Sequence, residues 1–391
     1  MADGHSGLGD AGVTLDAPWQ QWRDRRPPAQ RLHMDSAAAG RSSDATRRAV
    51  AAHAEREAEI GAYVAEGEAD PILEAGRAEL AGLLGVPPGG VAFVESGSAA
   101  LASVLSAWPL EPGSAVAVAP SEWGPNLASF GHNDLKVVEL AVHGDGTVDL
   151  EALEGLLAGA PPAFVHLTQV ASHRGLIQPV AAVAALCRAA GVPLWVDVAQ
   201  ALGHVDTATG ADVLYATSRK WLTGPRGVGL LAISDRWWDT LQIHASPLDL
   251  GELPEGAARV QLLESREANV AGRVGLCTAV REYLDAGPAQ VQRRLAEVGA
   301  LAREVLGGLP GWAVHDTGAP AAAITALRPT AGQDVREVRA RLLSDHLILT
   351  TAEGLARAPR EMTEPLLRIS PHVDCAPEEL QVLRDALAAL S

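Results

Sequence analysis

The chain has 391 residues, enough for two or three domains at about 150 residues each. Its 48% hydrophobic and 20% charged residues, with 39 Gly and 25 Pro dispersed rather than clustered, exclude bulk disorder and a collagen-like repeat. With 48 acidic against 31 basic residues the formal charge is −17; such a chain repels phosphate backbones, and no basic patch offsets it, so no nucleic-acid partner is expected.

The three cysteines, Cys187, Cys277 and Cys375, lie far apart with no metal or redox spacing, which argues against a disulfide scaffold or a zinc site and for a reducing cytoplasm. No apolar run reaches the roughly 18 residues that span a bilayer, and residues 1–12 lack a basic segment followed by an apolar one, so a soluble, untargeted protein is expected. Only two of the 31 basic residues are lysines, Lys136 and Lys220. Chemistry that demands a primary amine therefore has two candidates.

In chain order, residues 1–30 are rich in Gly, Asp and Pro and end in Arg25-Arg26-Pro27-Pro28, which reads as a flexible N-terminal arm despite Trp19 and Trp22. Helical periodicity covers residues 72–84, and a short strand at 91–94 leads through Glu95-Ser96-Gly97-Ser98 into a helix ending near Ala107. Strand-like apolar runs follow at 115–119, 137–140, 164–170, 194–198, 213–216 and 228–233, with helical stretches at 150–157 and 180–190 between them. This alternation marks an α/β domain with a mainly parallel sheet covered by helices. After about residue 250 two amphipathic helices, 270–286 and 289–306, precede a segment with strand-like 322–327 and 347–350 and helices at 335–343 and 377–390. The division expected is an arm at 1–30, a large domain at 31–255 whose first stretch packs on the small domain, and a small C-terminal α+β domain with its connecting helices at 256–391.

The chemistry concentrates after two strands. Asp197 in Leu194-Trp195-Val196-Asp197-Val198-Ala199-Gln200 and Lys220 in Ala216-Thr217-Ser218-Arg219-Lys220-Trp221 both follow apolar runs, so a parallel sheet opens them on one carboxyl edge, where ligands of such sheets bind. A pyridoxal phosphate enzyme needs such a pair, a lysine for the aldehyde and a carboxylate against the pyridine nitrogen. Gly97-Ser98, at a strand-to-helix turn, can offer free backbone N–H groups to a phosphate. Taken singly, a Gly-Ser turn is more often a plain N-cap, a strand-end acid a solvated carboxylate, and a lysine before an aromatic a surface residue. Their order and joint placement carry the reading.

Over residues 31–391 the chain resembles the cysteine desulfurase branch of the class V aminotransferases, which are fold-type I pyridoxal phosphate enzymes. Met34-Asp35-Ser36-Ala37-Ala38-Ala39-Gly40 resembles the family's "LDNAAT", Ser96-Gly97-Ser98-Ala99-Ala100 its "SGATEA", and Val196-Asp197-Val198-Ala199-Gln200 its "VDAAQ". Thr217-Ser218-Arg219-Lys220 with Gly224-Pro225-Arg226-Gly227-Val228-Gly229 resembles "SGHK…GPxGxG", and Leu367-Arg368-Ile369-Ser370 resembles "LRIS". The resemblance implies that Lys220 forms the Schiff base with pyridoxal 5′-phosphate, Asp197 pairs with the ring nitrogen and Gln200 bonds the phenolic oxygen. It implies phosphate contacts from Gly97, Ser98, Ala99, Thr217 and Arg219, a substrate α-carboxylate clamp at Arg368 with Ala38 beside it, and a homodimer.

Departures from the pattern direct the reaction. Trp123 stands where the family stacks a histidine on the ring; an indole stacks but cannot shuttle a proton. Ser172 replaces an asparagine near the phenolic oxygen, with His173 beside it as a further cofactor contact, and at 264–272 Ser265 or Asn269 stands in for the threonine that relatives send to a neighbour's phosphate. The loop at 350–361, where desulfurases carry their sulfur-accepting cysteine, has none. The expectation is a carbon–sulfur lyase performing β-elimination on a cysteine S-conjugate, most similar within the family to the ergothioneine-pathway lyases that cleave hercynylcysteine sulfoxide. An aromatic pocket for that substrate's quaternary ammonium is expected, with Trp19, Trp22 and Trp221 as residues to examine, although ordinary packing is the commoner role for most of the nine tryptophans. An epimerase or aminotransferase on the same cofactor, and a non-catalytic regulator or scaffold, remain the alternatives.

Overall fold

The structure is a computed structural model that describes residues 15–243, 259–265, 267–315 and 321–390. In chain order the elements are α1 (Ala17–Asp24), β1 (Leu32–His33), α2 (Asp44–Ile60), α3 (Ala62–Leu84), β2 (Val91–Val94), α4 (Gly97–Ala107), β3 (Ala115–Val118), α5 (Gly124–His132), β4 (Lys136–Glu139), α6 (Leu150–Gly159), β5 (Phe164–Thr168), α7 (Val180–Ala190), β6 (Leu194–Asp197), β7 (Val213–Thr217) and β8 (Gly229–Ile233). The second part of the chain holds α8 (Val270–Ala286), α9 (Pro288–Leu306), β9 (Trp312–Val314), β10 (Thr325–Pro329), α10 (Val335–Asp345), β11 (Ile348–Leu349), β12 (Thr351–Glu353), β13 (Leu366–Ile369) and α11 (Pro377–Ala389).

The large sheet has seven strands in the order β2-β8-β7-β6-β5-β3-β4. Pairs from β4 through β7 are parallel, and β8 runs antiparallel to both β7 and β2. Strands β2, β5, β6 and β8 are buried along their whole length, as expected of strands covered by helices on both faces, which is why they read as unbroken apolar runs. On one face Trp195 stacks on Phe164 at 3.8 Å between centroids and meets Trp108 edge-on at 4.9 Å. A four-stranded antiparallel sheet, β12-β13-β10-β9, packs with α9, α10 and α11 around Leu306, Leu327, Leu342, Leu367 and Leu383. The short β1 pairs in parallel with β11, so the chain before the large sheet is tied to this second layer. Among the described residues no helix is long and apolar enough to cross a membrane.

Residues 15–30 correct the expectation of an arm. They form α1, with Trp22 only 3% exposed, stacked on His372 and capped by the Arg26 guanidinium 4.1 Å from its centroid. Arg26 is itself buried, pairing with Glu282 at 3.1 Å and bonding the carbonyls of Trp22 and Arg41. Two helical turns with Pro18 in the first offer only the Trp19–Trp22 spacing as a helical signal, and their partners lie hundreds of residues away, so packing decided what local composition obscured. Residues 1–14 of the expected arm, and the expected boundary at 255/256, lie outside the described residues. Helix α2 also escaped the periodicity because it is largely polar, burying only Thr46 and His53, and α5 because it begins Gly124-Pro125. The strand expected from 322 starts at Thr325.

Candidate active site

Register brings the chemistry to one sheet edge. Thr168 ends β5 opposite Asp197 at the end of β6, and Asp197 lies opposite Tyr215 near the end of β7, three residues before Ser218-Arg219-Lys220 begins. Asp197 is buried; its Oδ1 accepts from the Ala199 N–H at 2.8 Å and its Oδ2 from Asn126 Nδ2 at 3.2 Å. Burial pushes its carboxyl above the ordinary value, against the pull of Lys220. Burial likewise lowers the Lys220 ammonium to about 7, opposed by Asp197 and reinforced by Arg219, Arg368 and Arg357. The amine and the carboxylate therefore share one electrostatic environment, as their placement after neighbouring strands required.

The segment before α2 lies across this edge. Gly40 donates its N–H to the Arg219 carbonyl at 2.7 Å, and a Cβ at Gly40 would fall 2.4 Å from the Lys220 carbonyl, so only glycine allows the approach. Gln200 fastens the same segment, donating to the Ala37 carbonyl at 2.9 Å while its Oε1 accepts from Trp221 Nε1 at 2.8 Å. One N–H of the Gln200 amide is left for another acceptor. Ala38 follows directly, half-buried.

At the start of α4, Ser96 is the N-cap, and its hydroxyl accepts from the Ala99 N–H at 3.0 Å. Ala99's amide is thus already engaged, whereas the N–H groups of Gly97 and Ser98 have no partner among the described residues. They remain as donors at the positive end of the helix. Strand β8 crosses close behind this turn: a Cβ on Gly229 would lie 2.6 Å from the Ser96 backbone. Thr217 is half-buried and reaches the Val228 carbonyl only at 3.5 Å. The Arg219 side chain has no hydrogen-bond or ion-pair partner among the described residues, and burial followed by Arg226 lowers its affinity for the proton. Trp123 is the N-cap residue of α5, half-buried, with no ring stacked on it among the described residues.

Other expected contacts are placed differently. His173 Nε2 bonds Glu361, which also pairs with Arg174 at 2.5 Å, so this histidine ties β5's following loop to the second layer and its remaining Nδ1 is buried without a partner. Ser172 contributes its carbonyl, accepting from Arg368 Nη1 at 3.1 Å. Arg368, 1% exposed, also faces Glu353 at 2.6 Å and Asp35 at 3.2 Å, leaving Nε without a partner. Asn269 caps α8 through the Gly272 N–H, and the Ser265 hydroxyl contacts the Glu267 carbonyl. Trp22 and Trp221 belong to a core stack around His372 and His204 rather than to a cation pocket, and Trp19 is buried in the same core. All three cysteines are buried, and burial raises Cys187 and Cys277 to about 12.

Sequence reasoning overlooked Glu122, Asn126 and His166 behind Asp197, and Glu353 and Asp35 around Arg368. A buried acid looks like any other acid in a sequence; Glu122 directly precedes Trp123, and that adjacency was the signal available.

The donor set fits pyridoxal phosphate: an amine near neutrality, a buried carboxylate, a half-buried indole, two open helix-terminal amides and an unpartnered guanidinium. Residues 34–383 match the family model described as aminotransferase class-V. The chain belongs to that family. It is 46% identical over 374 residues, 96% of this chain and 94% of the relative, to a Mycobacterium tuberculosis (strain CDC 1551 / Oshkosh) protein described as a probable hercynylcysteine sulfoxide lyase. It is 27% identical to isopenicillin N epimerase of Streptomyces clavuligerus, over 83% of this chain and 86% of the relative. Among solved structures, the cysteine desulfurase of Thermococcus onnurineus NA1 superposes with a TM-score of 0.83 at 20% identity, covering 97% of this chain and 99% of that one. The cystine C–S lyase C-DES superposes at 0.81 with 18% identity, covering 92% and 98%. Both show the fold, that of fold-type I pyridoxal phosphate enzymes.

Proposed function

We propose that this chain is a pyridoxal phosphate-dependent carbon–sulfur lyase that performs β-elimination on a cysteine S-conjugate, with hercynylcysteine sulfoxide as substrate in ergothioneine formation. The observation that carries the reading is the 46% identity across 96% of the chain with the relative described by that activity. It is supported by a 350–361 loop without a thiol and by the burial of every cysteine elsewhere.

When bound, the cofactor supplies an electrophilic aldehyde and a ring that accepts negative charge from the substrate α-carbon. Lys220 would hold the aldehyde and, as a free amine, would take the substrate α-proton; an amine lowered to about 7 is available for that at neutral pH. Asp197 would keep the ring nitrogen protonated, Trp123 would stack on the ring, and Gly97, Ser98, Thr217 and Arg219 would hold the phosphate, where a planar, charged fork suits a dianion. Gln200 would turn its spare N–H to the phenolic oxygen. Arg368 clamps the α-carboxylate beside Ala38. The Cβ–S bond then breaks with its electron pair leaving on sulfur as a sulfenate, and water converts the three-carbon fragment to pyruvate and ammonia. A thiol reductant supplies the two electrons that take the sulfenic acid to ergothioneine. The enzyme works as a cytoplasmic homodimer.

The test is pyruvate release by cofactor-loaded protein supplied with S-imidazolyl cysteine sulfoxides, cysteine and selenocysteine. Stoichiometric pyruvate and sulfur product from the sulfoxide, with no amino acceptor, is expected. Turnover of free cysteine alone, or dependence on an acceptor keto acid, overturns the reading. Light scattering tests the dimer.

A further inference from the structure

A connected group of buried polar side chains lies behind Asp197, and no step of the proposed reaction uses it. Asn126 divides the two N–H bonds of one amide nitrogen between two carboxylates, Asp197 Oδ2 at 3.2 Å and Glu122 Oε1 at 2.8 Å. Glu122 Oε1 also accepts from Thr168 Oγ1 at 2.7 Å and from the Trp123 N–H at 2.9 Å. Its Oε2 faces His166 Nδ1 at 3.0 Å, and His166 Nε2 lies 2.8 Å from the Tyr215 hydroxyl. Glu122, Asn126, His166 and Tyr215 are each no more than 2% exposed.

Counting donors and acceptors locates the protons. A carboxylate that receives four donors has no place for a proton of its own. Burial alone would raise Glu122, but His166 and the bonds from Thr168 and Asn126 bring it below its ordinary value. With neutral imidazole, Nδ1–H donates to Glu122 and Nε2 accepts from the Tyr215 hydroxyl, and every group is satisfied. With imidazolium both ring nitrogens would donate and the Tyr215 hydrogen would turn to the Asn126 side chain, which Tyr215 also contacts; in either state Glu122 keeps its carboxylate. Glu122 therefore places a second full negative charge one amide away from Asp197.

We propose that Glu122 is a positioning residue that, through Asn126, strengthens Asp197 as the partner of a protonated pyridine nitrogen while its contact with the Trp123 N–H holds the stacking indole. This rests on the reading that Asp197 faces that nitrogen. Two ionised carboxylates on one amide favour a cation beside them, and the ring nitrogen is the cation the site supplies. From β5, β7 and α5 the pair meets His166, Thr168, Tyr215 and Asn126; on the open side lie Lys220 and, beyond it, Arg219, Arg368 and Arg357.

The experiment follows the visible absorption of pyridoxal phosphate-loaded enzyme against pH. Glu122→Gln keeps the shape and removes the charge, and His166 can follow by changing tautomer; the absorption midpoint is expected to fall by about 0.5–1 unit. Glu122→Asp, which keeps the charge, and His166→Gln, which removes a neutral ring, are expected within about 0.2 unit of the parent. Equal shifts in the Gln and Asp variants, no shift in the Gln variant, or an upward shift in His166→Gln each overturn the proposal. His166→Gln decides the charge state even if Glu122→Gln fails to fold. An Asp197→Asn enzyme with an unaltered spectrum would instead overturn the placement of Asp197.

Discussion

Glu353 and Arg368 face each other at 2.6 Å with each side chain only 2% exposed, while Glu353 keeps its other oxygen on Arg357 Nε at 2.5 Å. The residue proposed to receive the substrate carboxylate is thus held by a carboxylate of its own, with Asp35 as a second. Removing one partner of a buried pair strands the other charge. Glu353→Ala is expected to lower unfolding stability by about 3 kcal/mol, read by denaturant titration. A loss under about 1 kcal/mol would show that Asp35 alone compensates Arg368.

Lys220 is expected to make cofactor capture depend on pH. Burial depresses its ammonium from 10.5 to about 7, so the fraction of neutral amine in the apo site rises through pH 7 and is nearly complete by pH 8. The rate of pyridoxal phosphate uptake, followed by absorbance, should rise accordingly and then level off. Because the unfolded chain binds the proton up to 10.5 and the folded chain only to about 7, this group also makes the apo protein gain stability as pH rises across that window. Lys220→Ala should abolish the visible band and cut turnover about 10²- to 10⁴-fold.

Glu361 fastens the 350–361 loop to His173 and Arg174. Burial opposes its ionisation, but the His173 hydrogen bond and the charges of His173 and Arg174 hold its carboxyl down at about 2. A carboxyl lowered on folding stabilises above its unfolded value of 4.5, and that contribution disappears as pH falls from there to about 2. Glu361→Gln should cost about 1–3 kcal/mol at pH 7, and the difference from the parent should vanish near pH 2 in denaturant titrations.

The cysteines should be dispensable for catalysis. All three are buried and burial raises each thiol, so native alkylation should be slow and Cys187→Ala, Cys277→Ala and Cys375→Ala should keep kcat/KM within about twofold. Loss of pyruvate release on alkylating native protein would revive a sulfur-transfer mechanism.

The strands that carry the site were legible because each is buried on both faces and bounded by polar turns. Asp197 and Lys220 follow such strands, and a parallel sheet has one carboxyl edge, so linear order alone placed them together. Helix α1 was not legible: Trp22 and Arg26 are held by His372 and Glu282 from the far end of the chain, and no local pattern encodes those partners.

By itself, the sequence determined the alternation of helix and strand, the scarcity of lysines and the missing loop cysteine, since composition, periodicity and order are properties of a line. Only the tertiary structure decided which acids are buried, that one amide of Asn126 joins Glu122 to Asp197, and that Arg368 is already held by Glu353. Charge state and donor count depend on distance and exclusion of water, and those arise only when segments remote in the chain close on one another.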